Sequence, residues 1–125
     1  MKEAIQPDGV ARPAPPYSPV VVSDDLVYTA GQVGFDDTGQ LTADDITGQT
    51  RQVFVNLVAC LRAAGCGPAD VIKVNAYLVD LGDFAAFNEV YKETFQEPYP
   101  ARTTVGVSLP GGILVEVEAV ARKPA

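Results

Sequence analysis

The chain has 125 residues, 47% of them hydrophobic, which suits one domain built on a single core. Its formal net charge is −7, so the field of the whole molecule repels phosphate backbones and nucleic acid is not an expected partner. No histidine is present, which removes the usual general base of Ser/His and Cys/His sites and the commonest zinc ligand. An enzyme of this composition has to move protons with a carboxylate, a backbone group or water.

Taken in chain order, the first residues lack the apolar run of a signal peptide, and no later stretch approaches the roughly 20 apolar residues needed to span a bilayer. The expectation is a soluble, cytoplasmic chain without a membrane partner. Residues 1–19, with Pro13, Pro15, Pro16 and Pro19, read as a loose arm in which Tyr17 sits in a stiff extended segment able to order against a surface. Val20–Val22 and Leu26–Gln32 are β-rich runs separated by Ser23-Asp24-Asp25, a hairpin pattern. Gly31 and Gly34 interrupt the second run, and Phe35–Gly39 reads as a turn.

Thr42-Ala43-Asp44-Asp45 is a capping sequence. Thr50, Val53, Phe54, Leu57, Val58, Leu61 and Ala64 follow at amphipathic helix spacing, ended by Gly65. Cys60 and Cys66 flank that helix end and read as packing residues, since no secretion signal supports a disulfide and no cationic cluster would activate a thiol. Val71–Val79 alternates, with Ile72, Val74, Ala76 and Leu78 expected on the buried face and Lys73, Asn75 and Tyr77 on the other. Asp83 opens a second helix whose Phe84, Phe87, Tyr91 and Phe95 form one stripe, read as core. Pro98-Tyr99-Pro100 stops it. Arg102–Leu109 and Ile113–Ala121 then read as two strands joined at Pro110-Gly111-Gly112.

The order β-β-α-β-α-β-β predicts an α+β domain over residues 1–125, with two helices on one face of a mixed or antiparallel sheet. The last strand is apolar on both sides, with Val115, Val117, Ala119 and Ala121 on one and Leu114 and Val120 beside Glu116 and Glu118 on the other. Helices on one side only would leave the second set exposed, which predicts self-association.

Four stretches stand out: Pro16-Tyr17-Ser18, Thr29-Ala30-Gly31-Gln32, Pro100-Ala101-Arg102-Thr103-Thr104 and Val115-Glu116-Val117-Glu118-Ala119. In order and approximate spacing they resemble the motifs of the Rid (YjgF/YER057c/UK114) family, joined by Ala63-Ala64-Gly65 and the Asp83-Phe84…Asn88 helix start. The resemblance runs from about residue 15 to residue 121. It implies a chorismate-mutase-like fold, a homotrimer with sites between subunits, and a cofactor-free, metal-free hydrolase that converts 2-aminoacrylate-like enamines and imines to 2-keto acids and ammonia. It further implies that Arg102 binds the substrate carboxylate and Glu116 positions or activates water. Tyr17, the Gly31 backbone, the Thr104 amide and Asn88 would line the pocket. There are two departures: Ala30 stands where many members carry a hydroxyl residue, which bears on substrate preference and rate, and Thr104 stands where some carry cysteine, which matters less where the backbone amide makes the contact.

The chemistry agrees, because a planar guanidinium grips a carboxylate through two parallel hydrogen bonds, and imine hydrolysis needs only positioned water and a carboxylate to shuttle protons. Read without the resemblance, each residue has a plainer role. Arg102 suits a solvated strand edge, Glu116 and Glu118 a solvent-facing row, Tyr17 an anchor for the arm, and Gly31 a turn, a bulge or a close backbone approach. A tight turn at Gly111 would set Thr104 opposite Glu118 and Gly106 opposite Glu116, leaving Arg102 out of register with Glu116. The alternative from another class is a trimeric protein that binds small carboxylic acids without turnover.

Overall fold

The computed structural model describes residues 1–125. Six strands form one mixed sheet: β1 (Lys2–Ile5), β2 (Val20–Ser23), β3 (Leu26–Thr29), β4 (Val71–Leu78), β5 (Ala101–Gly106) and β6 (Val115–Arg122). Two helices, α1 (Ile46–Ala63) and α2 (Phe84–Thr94), cover one face. The order across the sheet is β1-β2-β3-β6-β4-β5, antiparallel throughout except for the parallel pair of β4 and β5. This is the expected α+β architecture, with one strand more than the sequence pattern predicts. Lys2–Ile5 pair with Val20–Ser23 as an edge strand, so the arm begins inside the sheet and only residues 6–19 lack regular structure.

Local chemistry accounts for the element ends. The Asp24-Asp25 turn closes the β2–β3 hairpin with Asp24 at φ 54°, a conformation Asp tolerates because its short side chain can bond locally. Asp45 caps α1 by accepting from the Gly48 amide at 3.1 Å. Gly65, at φ 82°, ends that helix: its amide donates to the Arg62 carbonyl and the Cys66 amide to the Leu61 carbonyl, a Schellman pairing.

The core lies between the sheet and the helices. Val53, Leu57 and Leu61 of α1, Phe87 of α2, and Val74, Ala76, Leu78, Val115, Val117 and Ala121 of the central strands are all fully buried. Cys60 and Cys66 are buried free thiols, and burial pushes the Cys60 thiol up to about 12. No helix is long and apolar enough to cross a membrane.

Two expectations are corrected. Ile72 is not on the buried face, because a bulge between Val71 and Lys73 turns it outward at 47% exposure while Val71 takes the core position. The hairpin of the last two strands does not form either. After β4 the chain crosses over through α2 and returns as β5 parallel to β4, and β6 then inserts between β3 and β4, pairing with both. A parallel return requires such a crossover, and the alternating pattern of Arg102–Leu109 carries no information about which neighbour it pairs with. Thr104 accordingly lies opposite Ala76, not Glu118, and Glu116 lies opposite Tyr77, not Gly106.

Candidate active site

The sheet places the sequence-predicted residues in two groups on opposite sides. Arg102 is aligned with Val74, whose side chain is in the core, so it projects towards the helices. There its Nη2 donates to Oδ1 of Asn88 at 2.8 Å. The guanidinium carbon lies 4.6 Å from the Tyr91 ring centroid and 5.5 Å from those of Phe84 and Phe87, within cation–π range of all three. No carboxylate pairs with Arg102, the ion pairs of the chain being Arg51–Glu93, Lys92–Glu89 and Arg122–Asp25. A guanidinium carries five N–H donors, so most of this one's capacity is unused by protein side chains. It lines a cavity of about 500 Å³ with Phe84, Asn88, Tyr91, Tyr99 and Pro100. Thr104 follows two residues later on the same side of β5, and its buried hydroxyl has no hydrogen-bond partner.

Of the aromatic stripe, Phe84 departs from the core reading, and Tyr91 adds a contact to it. Phe87, Tyr91 and Phe95 are core, but Phe84 is 43% exposed and, with the Tyr91 ring, borders the arginine. The available signal was helical spacing: Phe84, Asn88 and Tyr91 stand at i, i+4, i+7 and therefore share one face of α2.

The second group is Tyr17, Gly31 and Glu116, which line one cavity of about 590 Å³ between the loop 6–19 and the start of β6. From Tyr28 opposite Val120 to Gln32 opposite Val117, the first strand advances four residues and its partner three. One extra residue is therefore accommodated at Ala30-Gly31, a bulge that fits the reading of Gly31 as a bulge and a close approach. A Cβ built on Gly31 would collide with the Glu116 carboxylate, 2.7 Å from its Cδ. Burial, and then repulsion from Glu118, raise Glu116 above the ordinary glutamate range. Glu118, on the same face of β6, accepts a 2.9 Å hydrogen bond from the Tyr77 hydroxyl. Nothing in the sequence pattern signalled that pair, because the register of β4 on β6 was not legible.

The walls of this cavity are fixed from α1. Buried Asn56 donates to the carbonyls of Val33 and Phe35 at 3.0 and 2.8 Å. Buried Gln49 donates to Gly112 O at 2.9 Å and accepts from the Leu114 amide at 2.9 Å, which anchors the segment leading into Glu116. Both amides satisfy loop groups that burial would otherwise leave unpaired.

The structure thus brings Arg102 to Asn88 with Thr104 nearby, and Tyr17 to Gly31 and Glu116. It does not bring Arg102 to Glu116. Within one chain the sheet separates them. There is no cluster of three or more Cys, Asp and Glu side chains arranged to hold a metal ion.

A small α+β protein with an unpaired, aromatic-flanked arginine on one side of its sheet and a half-buried glutamate over a glycine bulge on the other is the class these observations define. A family model described as Endoribonuclease L-PSP matches residues 9–123. The chain is 47% identical over 125 residues to a RutC family protein of Pyrococcus horikoshii, covering 98% of this chain and 99% of the relative. It is 42% identical over 108 residues to a protein of Capra hircus named 2-iminobutanoate/2-iminopropanoate deaminase, covering 85% of this chain and 79% of that one. Among solved structures, RidA from an Antarctic Psychrobacter superposes with a TM-score of 0.91 at 42% identity, covering 96% of this chain and 98% of the other. The chain belongs to the Rid family.

Proposed function

We propose that the protein hydrolyses reactive 2-imino and 2-enamino acids to 2-keto acids and ammonia, with Arg102 holding the substrate carboxylate and Glu116 activating water. The observation that carries this reading is Arg102 itself: a half-buried guanidinium, oriented by Asn88 and aromatic rings, with no carboxylate of its own, facing a cavity. Keeping a cation so placed and unpaired is costly for folding unless a ligand anion completes it. The deaminase name of the Capra hircus relative supports the choice of substrate class.

The reaction asks little of the protein. Water oxygen bonds to C2 of the imine while the C=N π pair moves to nitrogen, and the water proton passes to a carboxylate. Returned to nitrogen, that proton gives the carbinolamine, which collapses: the hydroxyl proton passes through the same carboxylate to nitrogen, the oxygen becomes the keto oxygen, the C–N bond breaks and ammonia leaves. Glu116 suits both transfers, because a proton affinity raised above the ordinary range lets it accept from water and then donate to nitrogen. An enamine enters the same sequence after protonation at C3. Tyr17 and the Gly31 backbone border the reacting centre, and Thr104 and Asn88 frame the carboxylate end.

Since Arg102 and Glu116 lie on opposite sides of the sheet, one substrate meets both only where two copies of the chain contribute one group each. A homotrimer in which the edge strand β5 of one copy, which carries Arg102, meets the open sheet face of the next would supply that juxtaposition. Half-buried Val21 and Val120 and exposed Tyr28 and Val105, all on the side the helices leave open, are consistent with such packing.

The test is the rate of 2-keto acid formation from imines generated in situ by an amino-acid oxidase or dehydratase, in competition with semicarbazide trapping. Acceleration by the wild type that Arg102→Ala abolishes, with fold and assembly intact, is the expected result. No acceleration across several imines, together with saturable binding of a 2-keto acid, would replace the enzyme reading with that of a carboxylate-binding protein.

A further inference from the structure

The cavity that holds Glu116 contains a second arginine. Arg12 lines it together with Tyr17, Gly31 and Ile113, and Glu116 is the only carboxylate among the lining residues. Arg12 belongs to none of the chain's three ion pairs, and its guanidinium makes no hydrogen bond within the protein. The loop that carries it is held by Gln6, whose Nε2 donates to the Val10 carbonyl at 2.9 Å, and is stiffened by Pro13, Pro15 and Pro16. Arg12, an exposed residue, and Tyr17 also border a smaller cavity of about 300 Å³, so both residues line two recesses. In a chain of net charge −7, with nine Lys and Arg against sixteen Asp and Glu, an unpaired arginine in each of the two cavities is a marked bias towards anions.

The larger cavity, about 590 Å³, falls in the size range of small-molecule sites and has room for a substituent beyond that of a three-carbon imine. If the α-carboxylate is taken by Arg102 of a second copy and C2 faces Glu116, the substituent beyond C3 extends into this space. A short apolar substituent leaves Arg12 with water as its only partner. A second carboxylate gives it a charge-assisted, bidentate one.

We propose that Arg12 is a specificity-determining residue that favours dicarboxylic 2-imino acids over monocarboxylic ones, an inference that rests on the imine-hydrolase reading above. The bond changes are those of the parent reaction: water adds at C2, the C–N bond breaks, and the products are a 2-keto dicarboxylic acid and ammonia. The second carboxylate is bound and not altered.

The experiment compares 2-iminosuccinate, generated in situ from aspartate, with 2-iminopropanoate, generated in situ from alanine, both in competition with semicarbazide. It uses the full chain as wild type, Arg12→Gln and Arg12→Lys. The wild type should favour iminosuccinate, and Arg12→Gln should lower the iminosuccinate-to-iminopropanoate ratio of kcat/KM about tenfold, mainly through KM, the scale of one charge-assisted pair near a surface. Arg12→Lys should keep part of the preference, since it keeps the charge and loses the fork. An unchanged ratio in Arg12→Gln overturns the proposal, as does a wild type that hydrolyses iminopropanoate alone, and either result leaves the parent activity standing. A wild type that accelerates neither imine overturns both.

Discussion

The Glu116 carboxylate lies against the Gly31 backbone, in the space a Cβ at that position would occupy. The bulge at Ala30-Gly31 and the placement of the glutamate are therefore one structural feature. Gly31→Ala should displace the Glu116 side chain and abolish imine hydrolysis while leaving the core untouched, since the collision is with one side chain over the cavity. The check pairs the semicarbazide assay with circular dichroism. Full activity in a folded Gly31→Ala chain would mean that the position of Glu116 does not matter to catalysis.

Arg102 is held through its planar shape as well as its charge, stacked 4.6 Å from the Tyr91 ring and bonded to Asn88. Lysine preserves the charge and loses both the stacking and the two-pronged contact. Arg102→Lys is expected to cost about 10- to 100-fold in kcat/KM, the range of charge-assisted hydrogen bonds, with Arg102→Ala costing at least as much. Steady-state kinetics on one imine decide it, and a lysine variant equal to wild type would show that a point charge suffices.

The raised proton affinity of Glu116 sets two pH dependences. As the base that takes the water proton, it must be ionised in the free enzyme, so the acid limb of kcat/KM should lie above the ordinary glutamate value of 4.5. Because repulsion from Glu118 is the second cause of the shift, Glu118→Gln should move that limb towards lower pH. An acid limb at the ordinary glutamate value in both proteins would remove Glu116 from the role of base.

Stability carries the same sign. Between the ordinary value and the raised one, the folded chain binds more protons at Glu116 than the unfolded chain does, so stability falls as pH rises through that window. Ionised Glu116 thus costs stability at neutral pH. Glu116→Gln should raise Tm there while removing activity, and the gain should vanish well below pH 4.5, where both states are protonated. Thermal melts at the two pH values distinguish this from a pH-independent packing effect.

Cys60 and Cys66 are 0% and 5% exposed, and burial raises both thiols. A thiol-reactive probe should label neither in the native protein and both after unfolding. Rapid native labelling of Cys60 would contradict the packing of α1 against the sheet.

Much of the fold is legible in the sequence because periodicity and caps are local. The span of α1 follows from Asp45, the spacing of Val53 to Leu61, and Gly65, all of which act within a turn or two of the chain. Strand neighbours are not local. The pattern of Arg102–Leu109 is the same whether the strand pairs with β6 or, as it does, with β4, and the bulge that exposes Ile72 depends on the register with Ala121 and Val120. The site divides the same way. Residue types at motif positions mark Arg102, Glu116, Gly31 and Tyr17, but their division between two sides of the sheet follows from β6 inserting between β3 and β4, which no short pattern encodes. Phe84 shares the spacing of the core aromatics, and a helical stripe carries no sign of which of its members the rest of the fold leaves exposed.

The central claim is that Arg102 of one copy and Glu116 of another act on the same imine. It is tested most directly by co-assembling Arg102→Ala with Glu116→Gln, each inactive alone, through joint unfolding and refolding, and measuring imine hydrolysis in the mixture. Sites formed between copies predict partial recovery of activity, since some interfaces then join an intact Arg102 to an intact Glu116. Sites formed within one chain predict none, and a mixture as inactive as its components, with mixed assembly verified by mass spectrometry, would contradict the account.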